Sequence, residues 1–485
     1  AVLSTATRSF AVRPRVLARL TGRVALLLTG INAPLVLASL IDQEWEGAAA
    51  HAVVLATLLG LWALLSRGRP AAVPQTNEAM VLSTIAFALG SAALALPWWA
   101  EGVPVVDALF EGVSAVTTTG LSTLDSVENK PLSFLFARAW GQWSGGLMIV
   151  LLALFLTLER GAVAGRWLSY QLTAEEVMLG SRAWMRTMAM VYSSITAVTI
   201  TAFLAVGLDP WNALLHGLTT VCGGGFAADD ASIGGIGGRG VQAVGMIGGV
   251  FGAISFLIWP QLRKGRWREV LGAPELRVFA TLCCAGAVVL FGTMTLLSGL
   301  PWRETLWDAA LMSLSCQTTT GFSTLDLAPL DPVSKLVMTV QMLLGGDTAS
   351  AAGGIKMFRL IAMLRLAQGA IARTALAPHA VMPTRTGEAD LIRGTATVVT
   401  LFAVMLLLSW SIFLGAGIDP IDALYDCASA LSICGASVGV ASHGLAWQLK
   451  LVLTAGMLVG RLEIVAVLVL FYPRTWIGRR QDEGR

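Results

Sequence analysis

Apolar positions along this chain fall in long, nearly unbroken runs, such as "VALLLTGINAPLVLASLI" (24–41), "WSGGLMIVLLALFLTL" (143–158) and "MLVGRLEIVAVLVLFY" (457–472). Runs of about 20 apolar residues match the thickness of a bilayer as helices. The pattern predicts ten such spans, near 24–41, 51–65, 79–98, 133–158, 187–208, 241–259, 276–299, 334–366 (interrupted), 394–416 and 446–472. Between several of them lie apolar segments of about 12 residues, too short to cross about 30 Å of hydrocarbon. The expected fold class is an all-α polytopic membrane protein.

Composition agrees: 55% of the 485 residues are hydrophobic and 13% charged, where soluble domains carry about 25% charged residues. A first span that follows five arginines (Arg8, Arg13, Arg15, Arg19, Arg23) raises a cleaved signal peptide, but its length and the hairpin after it favour a retained span. With the N-terminus placed in the cytoplasm, loops on that side hold 25 of 33 Lys and Arg, and the other side six (Lys130, Arg138, Arg239, Arg303, Lys335, Lys450). That bias puts both termini in the cytoplasm. Acids lean outward, 18 of 30, a distribution that concentrates cations at an outer mouth. Six unpaired-looking cysteines and four histidines suggest neither a disulfide framework nor a zinc site. His216 reads as a satisfied helix histidine. No paired carboxylates or nucleophile–base set appears at chemical spacing, so an enzyme is not expected, nor is a nucleic-acid partner. The lone G-x-G-x-x-G at Gly235, Gly237 and Gly240 has no strand–helix unit around it and reads as a loop.

The short segments repeat. "VDALFEGVSAVTTTG", "WNALLHGLTTVCGGG", "WDAALMSLSCQTTTG" and "IDALYDCASALSICG" place Asp107, Asn212, Asp308 and Asp422 each 13 residues before Gly120, Gly225, Gly321 and Gly435. A second glycine landmark follows each by 23 to 26 residues, at Gly145-Gly146, Gly248-Gly249, Gly345-Gly346 and Gly460. Fixed internal spacing marks repeated units. Each unit reads as span, short re-entrant helix opening near the Asp or Asn, glycine turn, span. Irregular backbone at membrane depth is tolerated where protein buries it or a wet cavity lines it. Four such turns around one axis therefore predict a pore.

Glycine reaches positive φ without steric cost, so successive carbonyls can be aimed at one axis. Carbonyl rings replace the hydration shell of a monovalent cation, and helix C-termini add negative potential. The candidate ion-binding residues are Thr118, Thr119 and Gly120; Cys222, Gly223, Gly224 and Gly225; Thr319, Thr320 and Gly321; and Ile433, Cys434 and Gly435. The threonine hydroxyls are expected to add oxygen ligands. Close helix packing is the competing reading for glycines in general, and it suits Gly145, Gly146, Gly248 and Gly249.

"GGDTASAAGG" (345–354) interrupts the eighth span. Its glycine pairs, Gly345-Gly346 and Gly353-Gly354, each weaken a helix interior by about 1 kcal/mol per residue. A non-helical loop and close helix packing both remain open here. Asp347 is paired, as a hypothesis, with Lys356 or Arg461. A mid-membrane arginine costs about 3 kcal/mol, so Arg461 needs a partner or water. Arg461 and Glu463 are about 200° apart around a helix and do not pair with each other. Two readings stand: two separate interhelical ion pairs, or Arg461 projecting into a cavity beneath the turns.

At "TTTGLSTLD" (117–125), "TTTGFSTLD" (318–326), "QWSGGLMIVLLAL" (142–154), "GGDTASAAGGIKMFR" (345–359) and "MLVGRLEIVAVLVLFYP" (457–473) the chain resembles the TrkH/KtrB/HKT superfamily of potassium-translocating membrane subunits, most closely its TrkH branch. The resemblance covers nearly the whole chain. It implies an N-terminal basic segment and helical hairpin (1–70) followed by pore repeats at 71–165, 166–262, 263–375 and 376–485, the third carrying an intramembrane gate loop. It further implies potassium uptake, with rubidium permeant, through a four-glycine filter in the cytoplasmic (inner) membrane. Gly345, Gly346, Asp347, Gly353, Gly354, Lys356 and Arg461 would gate it. A homodimer, membrane lipid and a cytosolic TrkA/KtrA-like nucleotide-binding ring are the implied partners, and no cofactor beyond the transported K+. The second turn, "VCGGGF", and the fourth, "SICGASVG", depart from the family pattern and lack the threonines of copies one and three. The ion-translocating subunit of a Kdp-like pump and a sodium/potassium cotransporter are the alternatives.

Overall fold

The computed structural model describes residues 11–67, 74–158, 181–374, 388–462 and 464–477. Among these, every regular element is helical. Helices α1 (Pro14–Ile41) and α2 (Trp45–Leu65) form an N-terminal hairpin, turned by Gln43 in the left-handed region (φ 62°). Four units of one plan follow. The first comprises α3 (Thr76–Ala100), the short α4 (Val105–Val116) and α5 (Leu132–Leu158). In the second, α6 (Ser181–Ala205) leads to the short α7 (Pro210–Val221), one turn of helix α8 (Ile233–Ile236) and α9 (Arg239–Ala253). Two short helices, α10 (Ile258–Arg263) and α11 (Trp267–Gly272), connect to the third unit. That unit holds α12 (Pro274–Leu296), the short α13 (Trp302–Thr318), α14 (Pro332–Leu344) and α15 (Met357–Thr374). The fourth holds α16 (Glu388–Gly415), α17 (Pro420–Ser432), α18 (Trp447–Arg461), α19 (Val465–Phe471) and α20 (Pro473–Trp476).

Six of these helices are long and apolar enough to cross a membrane unaided, and α18 with α19 would make a seventh across a 109° bend. The runs at 241–259, 334–366 and 446–472 are each broken. The breaks come after Ala253, between Leu344 and Met357, and after Arg461. A 15-residue helix such as α9 or α18 spans only about 22 Å. The interruption at 345–354 is expected from its small and polar residues, whereas the breaks after Ala253 and Arg461 are not, because apolar residues continue through them.

The units pack in a closed ring. The helix after each glycine turn packs on its own short helix and on that of the next unit: α5 on α7, α9 on α13, α14 on α17, and α18 on α4. Polar and aromatic contacts reinforce each step. The Phe136 and Trp211 rings lie 5.9 Å apart, Trp307 Nε1 donates to Gln242 Oε1 at 2.8 Å, Lys335 pairs with Asp422 at 2.7 Å, and Lys450 pairs with Asp107 at 2.5 Å. The last of these closes the fourth unit onto the first. Three of the six cations assigned to the outer side (Arg138, Lys335, Lys450) thus lie in ion pairs within the protein.

The recurring Asp or Asn is not itself the helix cap. In α7 and α17 the caps are Asp209 and Asp419, whose carboxylates accept from Trp211 and Asn212 and from Ile421 and Asp422. Pro210 and Pro420 then stand at the first helical position, where their fixed φ and missing N–H suit a helix start. Asp107 and Asp308 instead accept hydroxyl bonds from Thr123 and Thr324 at 2.6 and 2.8 Å. Those threonines belong to the two "STLD" segments, which explains why that tetrapeptide recurs.

Candidate functional site

All four short helices end alike. The residue two before each landmark glycine is left-handed: Thr118 (φ 56°), Gly223 (67°), Thr319 (52°) and Ile433 (54°). Gly120, Gly225, Gly321 and Gly435 follow at φ 93°, 65°, 76° and 90°. The N–H of the intervening residue reaches back five positions, Thr119 to Ser114, Gly224 to Thr219, Thr320 to Ser315 and Cys434 to Ser429, at 2.9 to 3.0 Å. The left-handed residue reaches back three. Together these bonds make a Schellman motif, which satisfies the helix's last carbonyls. Four different sequences fold into one backbone shape.

The turns also meet. A Cβ built on Gly120 would strike the carbonyl oxygen of Gly224, one on Gly225 that of Thr320, one on Gly321 that of Cys434, and one on Gly435 that of Thr119. Each glycine therefore sits against the carbonyl just before the next unit's glycine, around a full circle. Positive φ and absent space both demand glycine at these four positions.

Side chains behind the turns hold the shape, and several were not singled out from sequence. Gly120 N and Gly435 N donate to Ser114 Oγ and Ser429 Oγ at 3.0 Å, and Ser114 and Ser315 donate to the carbonyls of Leu121 and Phe322 at 2.6 Å. The signal was a hydroxyl residue (Ser, Thr, Ser, Ser) six before each glycine. Three residues further back, Glu111 accepts from Ser122 and Thr123 while pairing with Arg138 at 3.1 Å. Asp426 likewise accepts from Ser437, Val438 and Ala441. His216 occupies the same position in the second unit, with Nδ1 against Asn212 O and Nε2 facing Ala228 N. Its reading as a satisfied helix histidine is thus extended to support of the turn. Many outward-leaning acids are engaged in this way, which weakens their reading as free charge at a mouth.

The threonine hydroxyls also face inward on the protein. Thr117 and Thr119 pair at 2.8 Å, as do Thr318 and Thr320, and Thr319 Oγ1 accepts from Gly353 N at 2.7 Å. These hydroxyls buttress the turns, while Thr118 Oγ1 is buried with no partner among the described residues.

Beneath the turns, α14 stops at Gly345 (φ 68°) and the chain stays non-helical to Lys356. On one side the loop is laced to the end of α9 and the strap after it. Asp347 N donates to Ala253 O, Ala351 N to Gly252 O and Phe256 N to Ala349 O, at 2.9 to 3.1 Å. On the other side it touches the turns. A Cβ on Gly353 would strike Ser432 O, and Ala351 O lies 4.0 Å from the Cβ position of Gly223. Gln317 Nε2 donates to Gly345 O at 2.7 Å. Asp347 does not pair with Lys356 or Arg461. Its carboxylate accepts from Ser255 N and Thr348 N at 3.3 and 2.7 Å, and Glu275 lies beside it. Lys356 Nζ donates to the carbonyls of Ser350 and Ala352.

Arg461, 4% exposed, donates from Nη1 to Ala351 O at 2.8 Å. Its Nε and Nη2 are buried and meet no acceptor among the described residues. This argues against an interhelical ion pair at Arg461 and for a cation held beside the loop. Glu463 lies outside the described residues. Of the glycines read as packing, Gly145 lies on the carbonyl of Val116 and Gly248 on Thr220 and Thr199, and Gly460 lies in the same way on the carbonyl of Leu431. In the second unit, the glycine that matches Gly145 and Gly460 is Gly252, which lies on Val221 O.

The chain resembles known proteins over most of its length. It is 28% identical to the Trk system potassium uptake protein TrkH of Halomonas elongata, across 95% of this chain and 99% of that one. It is also 28% identical to an uncharacterized cation transporter of Methanocaldococcus jannaschii, across 81% and 82%. The crystal structure of the potassium transporter TrkH from Vibrio parahaemolyticus superposes with a TM-score of 0.83, at 22% identity, covering 96% of this chain and all of that one. The family model described as TrkH, cation transport protein, matches residues 48–476. This multi-pass membrane protein belongs to the TrkH family of cation transport proteins.

Proposed function

We propose that the chain takes up potassium through a central pore whose selectivity filter is the ring of four glycine turns. The observation that carries this reading is the closed circle of glycine-to-carbonyl contacts from Gly120 through Gly225, Gly321 and Gly435. A ring of backbone oxygens held at one level, without a lysine or arginine in any turn, suits a partly dehydrated monovalent cation. The ion contacts are the carbonyls of Thr118, Thr119 and Gly120, Cys222 to Gly225, Thr319 to Gly321, and Ile433 to Gly435. The relatives named for potassium uptake support K+ as the ion.

The loop from Gly345 to Lys356 closes the pore beneath the filter, pinned by Thr319 and by Arg461, whose charge also repels cations. In this reading the four pore repeats are 71–165, 166–262, 263–375 and 376–485 after the hairpin segment 1–70. Both termini face the cytoplasm of the inner membrane. A cytosolic nucleotide-binding ring opens the loop, and the chain works as a homodimer.

The test is rubidium and sodium uptake by proteoliposomes containing the purified chain. Wild type is expected to favour rubidium strongly, and Gly321→Ala to lose that preference, because a Cβ there displaces the Cys434 carbonyl. A well-folded Gly321→Ala protein with unchanged rubidium preference refutes the filter.

A further inference from the structure

The second turn has the least internal support of the four. Its three successive glycines carry no side chains to stiffen it, and glycine loses more conformational freedom on ordering than any other residue. The hydroxyl latch of units one and four is also absent. Thr219 stands where Ser114 and Ser429 stand, but its hydroxyl donates to His216 O at 3.3 Å and not to the turn. The paired hydroxyls of units one and three have no counterpart either, and Thr220 Oγ1 is buried without a partner. Yet this turn keeps the same backbone shape as the others.

What holds it comes from outside the unit. Gln142, on α5 of the first unit, is fully buried. Its Nε2 donates to Gly224 O and its Oε1 accepts from Phe226 N at 3.2 Å. One amide thus spans Gly225, gripping the backbone on both sides of it. Gly224 O is the oxygen that faces Gly120 in the ring. The corresponding carbonyls of Thr119, Thr320 and Cys434 accept no hydrogen bond among the described residues.

We infer that Gln142 is a positioning residue for ion selectivity: its side-chain amide fixes the second filter turn and sets the direction of the Gly224 carbonyl. The inference rests on the filter reading above. Asparagine is too short to span Gly225. Glutamate keeps the acceptor for Phe226 N but, when ionised, places a negative oxygen against Gly224 O. Leucine removes both prongs at similar volume.

Rubidium and sodium uptake by proteoliposomes, with melting temperature in detergent as the fold control, separates the outcomes. Gln142→Glu and Gln142→Leu are expected to lower the rubidium-to-sodium uptake ratio by about fivefold or more. Adding Thr219→Ser to Gln142→Leu supplies the missing internal latch and is expected to restore part of that ratio. A merely structural glutamine would lower both fluxes and the melting temperature together and leave the ratio intact, and that result overturns the inference. If Gly321→Ala also leaves the ratio intact, the filter reading has failed instead. If Gly321→Ala collapses the ratio while both Gln142 variants keep it, only the role of Gln142 falls.

Discussion

Arg461 offers the sharpest test of the proposed closure of the pore, because two effects of similar size are expected there. The first is mechanical. Its Nη1 bond to Ala351 O ties the loop to α18, and a hydrogen bond to a charged group contributes about 1.5–3 kcal/mol. Losing it favours loop release by roughly 10- to 150-fold. The second is electrostatic. A unit charge about 8 Å from a permeating cation, at an effective dielectric of about 20, raises the ion's energy by about 2 kcal/mol, or about 30-fold in occupancy.

Three substitutions separate the two effects. Arg461→Ala removes both and is expected to raise regulator-free rubidium uptake by at least about tenfold. Arg461→Gln removes the charge but retains an amide donor for Ala351 O, so a rise close to that of alanine assigns the block to charge. Arg461→Lys retains the charge and is expected to stay near wild type. The assay is rubidium-86 uptake into proteoliposomes without any cytosolic partner, normalised to folded protein. Unchanged uptake in Arg461→Ala, with an unchanged melting temperature, refutes the closure argument and returns Arg461 to a purely architectural role.

The other predictions follow from the ring and the loop. Gly435→Ala puts a methyl group on Thr119 O at φ 90°, and selective rubidium uptake is expected to be lost even where the protein still inserts and purifies. Lys450→Met leaves Asp107 buried with only the Thr123 hydroxyl, which is expected to cost about 3–5 kcal/mol. The drop should show as a lowered melting temperature that adding Asp107→Leu largely recovers. Thr319→Val preserves shape but deletes the acceptor of Gly353 N. At about 1 kcal/mol it should raise uptake about fivefold without altering the rubidium-to-sodium ratio.

Repetition made the ring legible: a glycine 13 residues after a small polar residue, four times, needs no alignment to be seen. The left-handed residue in each turn was not legible, because Thr118, Gly223, Thr319 and Ile433 share no side-chain chemistry. Their common φ is imposed by the Schellman bonds and the neighbouring turn. Pairing of Asp107 with Lys450 joins residues 343 positions apart, a relation that appears only once the units close into a circle. The helix breaks at Ala253 and Arg461 were hidden by continuous hydrophobicity. The break at Gly345 was visible, because there the chain changes to small and polar residues. Asp347 misled because a lone acid near two cations invites an ion pair. The backbone N–H groups of Ser255 in the strap and Thr348 in the loop occupy it instead.

If the loop closes the pore as proposed, its contacts determine what an opening signal must do. Its hydrogen bonds reach Gly252, Ala253 and Phe256 of the second unit and its strap, Thr319 of the third, and Arg461 of the fourth. Withdrawing the loop alone would break all of them and strand buried N–H groups, at about 1–3 kcal/mol for each group left unsatisfied. Moving loop and strap as one body keeps the Phe256 N–Ala349 O and Ser255 N–Asp347 bonds and breaks those to Gly252, Ala253, Gln317, Thr319 and Arg461. That second path is cheaper by about two of these increments. The strap ends where α10 begins, at Ile258, and α10 and α11 carry Arg263, Lys264, Arg266 and Arg268 in the segment joining the second and third units. A force applied to α10 therefore acts on the loop through three residues of chain, with no other element between them. The same force reaches the filter turns through Thr319 Oγ1, through the Gln317–Gly345 bond and through the close approach of Gly353 to Ser432 O. In the proposed gating the Thr319 hydroxyl bonds the loop and not the ring, so Thr319→Val should change how often the pore opens and not which ion it prefers.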